Sequence, residues 1–255
     1  MSRVYLDYNA TAPLRVEARA AMMRAMDVVG NPSSVHAEGR AAKGMVETAR
    51  AQVAEALGAS GADIIFTSGA TEAAALLCAG RGLHGSGIEH DAVDVWGDAS
   101  LVAKSGQVTV PEPPKSLLQL ANSETGLVQH LPQGLAVSDL TQGFGKIPFA
   151  FSWAGIVAGF VSAHKLGGPK GVGAIAIQTG VDLAAQIKGG GQEMGRRAGT
   201  ENVIGIAGFG AAAAAAQRDL ENGVWDRVAE LRKILEKKLG DGASENIIVG
   251  QGVNR

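Results

Sequence analysis

With 255 residues, 46% of them hydrophobic, the chain can bury a substantial core, and its 25 acidic against 23 basic side chains leave a formal charge of −2, excluding the basic footprint of a nucleic-acid or polybasic membrane partner. A lone cysteine, Cys78, rules out a disulfide within the chain and fits a reducing cytoplasm. The start "MSRVYLDYNATAP" has no apolar signal region, and no apolar run is long enough to span a membrane. Glycine is high at 36 residues and aromatics low at 4%, a balance that suits an α/β protein with tight loops around a site. The expected partners are small molecules or protein.

In chain order, helical spacing runs over 16–29 and stops at Gly30 and the "NPSS" turn, where Asn31, Ser33 or Ser34 can cap the next helix. A long amphipathic helix is expected over 38–58, with Met45, Val46, Ala49, Val53 and Leu57 on one face. The period then changes: "ADIIFTSGATEA" predicts a strand ending at Phe66, a small-residue turn, and a helix from near Thr71. Strand-like runs recur at 107–110, 116–121, 134–137, 158–162 and 171–177. Strands alternating with helices predict a mainly parallel sheet covered on both faces. An alanine-rich helix comes next over 208–220, then an amphipathic one over 224–239 with Val224, Val228, Leu231, Leu235 and Leu239 in register and Glu230 on its solvated side. The terminal "ENIIVGQGVNR" reads as the beginning of another strand.

Chemistry enters at "FTSGATEA". A strand that turns into a helix through small residues presents free backbone N–H groups and the positive end of the helix dipole, which favour phosphate; read alone, the same turn serves equally as an ordinary helix cap. "SDLTQGFGKIP" sets Asp139 after a strand-like run with Gln142 three residues on, and "SAHKLGGPKGVGAIAI" sets Lys165 before a glycine turn and a buried strand. Taken singly, Asp139 is a loop acid or cap and Lys165 a surface cation. In an open α/β sheet, however, groups at neighbouring carboxyl ends converge on one crevice. A phosphate cradle, an amine, a carboxylate and a flat partner such as His90 together suit pyridoxal 5'-phosphate, whose aldehyde bonds to a lysine and whose ring acts as an electron sink. The five histidines and one cysteine show no metal-ligand spacing.

The ordered motifs "YLDYNATAPL", "NPSSVHAEGR", "FTSGATEA", "EHDAV", "ANSETGLVQ", "DLTQGFGKIP", "SAHKLGGPKGVGA" and "GGGQEMGRRAGTEN" carry a resemblance to the cysteine desulfurases of the NifS/IscS type, class V aminotransferases of fold type I. That resemblance implies a three-layer α/β/α large domain over 16–222, preceded by an arm at 1–15 and followed by the start of a small C-terminal domain at 223–255. It implies that Lys165 is the Schiff-base lysine, that His90 stacks on the cofactor ring and shuttles protons, that Asp139 pairs with the pyridinium and that Gln142 donates to the ring oxygen. Ala70, Thr71, Ser162 and His164 would form the phosphate cup, and Thr200 would reach the phosphate of a partner subunit in a homodimer. The implied reaction takes L-cysteine to L-alanine in the cytoplasm and passes sulfur, as a persulfide, to a sulfur-acceptor or scaffold protein for iron–sulfur cluster assembly.

Departures from the family pattern temper this reading. The family's catalytic cysteine and substrate-carboxylate arginine belong to a segment expected after "GQGVNR", and Cys78, set among Leu76 and Leu77, reads as a buried small hydrophobe. The chain is short between His90 and Lys165, Ser123 stands where the family usually has an asparagine near the ring oxygen, and Ala74 and Ala75 replace a polar pair. A cofactor-binding remnant without desulfurase activity, or another class V reaction such as transamination, is therefore the alternative. Arg196 and Arg197 read as anchors of a loop, and His36 and Arg40 either approach the site or pair with Glu38 and solvent.

Overall fold

A computed structural model describes residues 3–242, 245, 247–250 and 252–255. In chain order the elements are α1 (Val16–Met26), α2 (Ala37–Ala56), β1 (Ala62–Thr67), α3 (Ala70–Cys78), α4 (Asp91–Asp94), β2 (Ala103–Lys104), β3 (Gln107–Val108), β4 (Leu117–Gln119), β5 (Val137–Asp139), α5 (Phe151–Ala154), β6 (Ala158–Ser162), β7 (Gly173–Gln178), α6 (Val203–Glu221) and α7 (Val224–Gly242). Five strands form one sheet in the order β1-β7-β6-β5-β4, while β2 and β3 make a separate hairpin. Parallel pairing is confined to β4, β5 and β6; β7 runs antiparallel to both β6 and β1, so the sheet is mixed. The link from β6 to β7 is a single 3-10 turn and a glycine loop, too short for the crossover that a parallel pair requires.

Alternation along the strands supplies both faces. Ile64, Phe66, Leu118, Val161, Ala174 and Ala176 face a core shared with α2 and α6, whereas Ile65, Leu117, Val137, Phe160, Ile175 and Ile177 face α3. Phe209 of α6 meets the rings of Phe66 and Phe144 edge-on at 6.3 and 6.4 Å. The alanine tract is explained by close approach, since a Cβ on Gly210 would sit 2.5 Å from Ala49 Cα.

Several expectations shift. The cap of α2 is His36, whose side chain accepts from Gly39 N, not Asn31, Ser33 or Ser34. The strand expected over 134–137 is displaced to Val137–Asp139, and that over 107–110 shortens to a two-residue hairpin arm. On α7 the apolar spacing is as expected but its burial is not: Val224, Val228, Leu231, Leu235 and Leu239 are 44–58% exposed. Of the terminal strand, Asn246 and Gln251 lie outside the described residues, and the described remainder contains turns and no strand. Among the described residues no helix is long and apolar enough to cross a membrane.

Candidate active site

Four segments meet at the carboxyl ends of β1, β4, β5 and β6. The β1–α3 turn brings Ala70 and Thr71; β5 ends on Asp139 and runs into Gln142; β6 ends on Ser162 and passes through a 3-10 turn bearing His164 and Lys165. Together with Ser123 and His90 they line a cavity of about 590 Å³. Only glycine permits this closeness of strand and turn: a Cβ on Gly173 of β7 would lie 2.7 Å from the Gly69 backbone.

Lys165 Nζ donates to the Asn9 carbonyl at 2.7 Å. Desolvation holds its amine below the ordinary lysine range, with the Asp139, Asp7 and Glu124 carboxylates pulling the other way. Burial raises Asp139, opposed by the Thr141 hydrogen bonds and by His90 and Lys165; its Oδ1 accepts from Thr141 N at 2.8 Å. Gln142 Nε2 donates to the same Asn9 carbonyl at 3.2 Å. His90 Nδ1 accepts from Ala92 N at 3.1 Å, so this imidazole caps α4 as well as bordering the cavity. His164 lies 3.2 Å from Thr11 Oγ1, and burial together with nearby Lys165, Lys170 and Lys146 lowers its pKa.

The turn is open to an anion. No side chain caps α3, which removes the ordinary-cap reading and leaves its first-turn amides available. A Cβ at Gly69 would meet nothing within 4 Å. Thr141 also lines the cavity, with its Oγ1 buried beside the Asp139 carboxylate.

Behind the turn stands a carboxylate that sequence reading missed. Glu72 accepts from Ser68 N at 2.9 Å and from Arg197 Nε and Nη2 at 2.8 and 3.2 Å. Arg196 pairs with Asp63 at 2.6 Å, so both arginines anchor the 187–201 loop against β1 and α3, as their sequence context suggests. Thr200 is not brought into the main cavity; it borders an adjoining one of about 230 Å³, with Ser68 and Gly171 common to both. His36 pairs with exposed Glu38 at 3.0 Å. Asn9, Thr11, Thr141 and Lys146 also escaped notice, although each lies inside a motif already singled out.

A profile of the class-V aminotransferase family matches residues 4–95 and 118–251. The chain belongs to that family. The unmatched 96–117 segment of this class-V protein holds the β2–β3 hairpin. It is 38% identical over 293 residues to a cysteine desulfurase of Frankia sp. (strain EuIK1), covering 95% of this chain and 70% of that one. It is 35% identical over 289 residues to a cysteine desulfurase IscS of Dictyoglomus turgidum, covering 99% and 73%. Among solved structures, a NifS-like protein from Rickettsia africae superposes with a TM-score of 0.89 at 33% identity, covering 100% of this chain and 79% of that one. The apo structure of a cysteine desulfurase from Thermococcus onnurineus, with a TM-score of 0.82 at 20% identity and coverage of 93% and 73%, shares the fold.

Pyridoxal 5'-phosphate is the cofactor of this family, and the site of this class-V protein fits it. An uncapped helix start suits its phosphate, an amine of lowered pKa its aldehyde, and an enclosed carboxylate its ring nitrogen. Replacing Arg197 with alanine leaves Glu72 without its cation beside Ser68 N, and is expected to weaken pyridoxal phosphate binding about tenfold. Absorbance titration checks this; unchanged affinity would separate the Glu72 contact from the turn.

Proposed function

We propose that this protein is a pyridoxal-phosphate-dependent cysteine desulfurase that converts L-cysteine to L-alanine and hands the sulfur, as a persulfide, to an acceptor or iron–sulfur scaffold protein. It acts in the cytoplasm as a homodimer, with Thr200 completing the partner's phosphate site and 223–255 opening a smaller second domain. The observation that carries this reading is the meeting of Lys165, Asp139, Gln142, His90 and the uncapped α3 turn around one cavity, in a chain more than one third identical to proteins named cysteine desulfurase.

The chain's own residues divide the work. Lys165 would hold the cofactor covalently through Nζ, and the Ala70 and Thr71 turn with Ser162 and His164 would hold its phosphate. When bound, the cofactor supplies an electron sink that makes the substrate's α-proton acidic. Asp139 would hold a proton at the ring nitrogen, and Gln142, whose Nε2 now donates to the Asn9 carbonyl, would offer that NH₂ to the ring oxygen. The Lys165 amine would also serve as the base for the α-proton, because its desolvation lets it give up its own proton more readily than an ordinary lysine. His90, which lines the cavity, would stack on the cofactor ring and shuttle protons at the substrate. Transfer of sulfur needs a thiolate to attack the substrate sulfur as its Cβ–S bond breaks, leaving the persulfide on the attacking thiol and the electron pair for alanine. Cys78, 1% exposed and with its thiol pushed up to about 12 by burial, does not supply it, so that thiolate would come from the acceptor protein or, in the assay, from a thiol reductant.

The test is to mix the protein with pyridoxal phosphate, record the visible band that borohydride traps, then add L-cysteine and reductant and assay alanine and sulfide. A band followed by equal amounts of alanine and sulfide is the expected result. A band without alanine would leave the cofactor-binding remnant as the better reading, and no band would remove the proposal.

A further inference from the structure

Gln142 ends in a carboxamide whose oxygen and nitrogen differ only in what they bond, so neighbours decide which end faces the cavity. Lys146, four residues on, places its Nζ 2.6 Å from Gln142 Oε1. An ammonium donates and cannot accept, so that contact commits the oxygen end to Lys146 and the NH₂ end elsewhere. Accordingly, Gln142 Nε2 donates to the Asn9 carbonyl, the acceptor that also holds Lys165 Nζ.

The turn between the two residues is closely packed. A Cβ on Gly143 would sit 2.5 Å from Leu120 Cδ2, and Gly145, at φ 71°, has room for none, since a Cβ there would sit 2.8 Å from Ala216 Cβ. Burial and the charge of Lys165 push Lys146 down to about 8. From this geometry we infer that Lys146 is a positioning residue, fixing the Gln142 carboxamide with its NH₂ toward the cavity and so toward the ring oxygen of the cofactor. The inference rests on the pyridoxal phosphate reading and adds to it a cation that touches neither the substrate nor the cofactor.

The test titrates protein freed of cofactor with pyridoxal phosphate and reads the dissociation constant and the wavelength of the visible band. Lys146→Met is expected to weaken binding about tenfold, in line with loss of a hydrogen bond to a charged group, and to move the band. Lys146→Arg, a donor that cannot accept, is expected to keep the wild-type affinity within about twofold and the wild-type band. In a Gln142→Ala background, Lys146→Met is expected to change nothing further, since the two act as one unit. Where the methionine variant fails to fold, Lys146→Gln carries the same test, because its carboxamide bonds to Gln142 without dictating which end it meets. Wild-type affinity and band in Lys146→Met, or an equal loss in the Gln142→Ala background, would overturn the inference while leaving the cofactor reading intact. Absence of any band in the unaltered protein would overturn the cofactor reading itself.

Discussion

Lys165→Ala is expected to abolish the borohydride-trappable band with pyridoxal phosphate and to reduce alanine formation from L-cysteine by roughly four orders of magnitude, the upper range for a positioned general base. The loss is that large because one amine serves twice, as the covalent anchor and as the base. Its environment supports both roles: desolvation lowers the pKa, and the Asn9 carbonyl 2.7 Å away holds Nζ in place. The sign of the shift sets the pH dependence. A lowered amine pKa means that the neutral, nucleophilic form appears at lower pH than for an ordinary lysine at 10.5, so the rate of covalent cofactor capture should rise with pH and level off below that value. Stopped-flow absorbance across pH measures it. A midpoint at or above the ordinary lysine value would contradict the role of desolvation.

Glu193→Ala is expected to destabilise the fold by about 3–5 kcal/mol, the usual result of leaving a buried charge without its partner. The Glu193 side chain is 2% exposed; it accepts from Arg50 Nη1 and Nη2 at 2.7 and 3.0 Å and from Phe66 N at 2.8 Å. Arg50 also lies 4.9 Å above the Phe66 ring. Removal takes from Arg50 its buried carboxylate, leaving it exposed Glu47 and the Ile64 carbonyl, and strands the Phe66 N–H, at the point where the 187–201 loop is tied to β1. Glu193 and Met194 both adopt positive φ, 48° and 59°, a backbone state that persists only where its surroundings impose it. The same arginine makes a control: Glu47, paired with it at 3.1 Å but 51% exposed, should lose only about 0–1 kcal/mol as Glu47→Ala. Urea unfolding of both variants decides the matter, and similar losses would show that burial is not the source of the effect.

Much of the site was legible because its residues sit at strand ends, where position follows from type. Asp139, Gln142, Ser162, His164 and Lys165 each follow a hydrophobic run that forms β5 or β6, and the glycine turn before α3 marks the proposed anion site. The sheet's mixed character was not legible, since buried strands read alike in either direction; only the length of the β6–β7 link decides it. Burial on α7 was misread for a related reason: spacing predicts that a helix has an apolar face, whereas covering that face depends on what packs there. The supporting residues were hidden most completely. Glu72 and Glu193 are 125 and 143 residues from their arginine partners, and Lys146 looks like any helical-spaced surface lysine until Gln142 is placed beside it. In the proposed dimer Thr200 joins the site only through a second copy of the chain, which the family resemblance implies and the geometry of a single chain does not supply.

Three amines border or back the site, Lys146, Lys165 and Lys170, and only Lys165 is assigned the covalent bond. The most direct test is to reduce the cofactor-loaded protein with borohydride, digest it and locate the pyridoxyl mass by peptide sequencing. Label confined to Lys165 is the predicted result. Label on Lys146 or Lys170, or none on any lysine, would contradict that assignment.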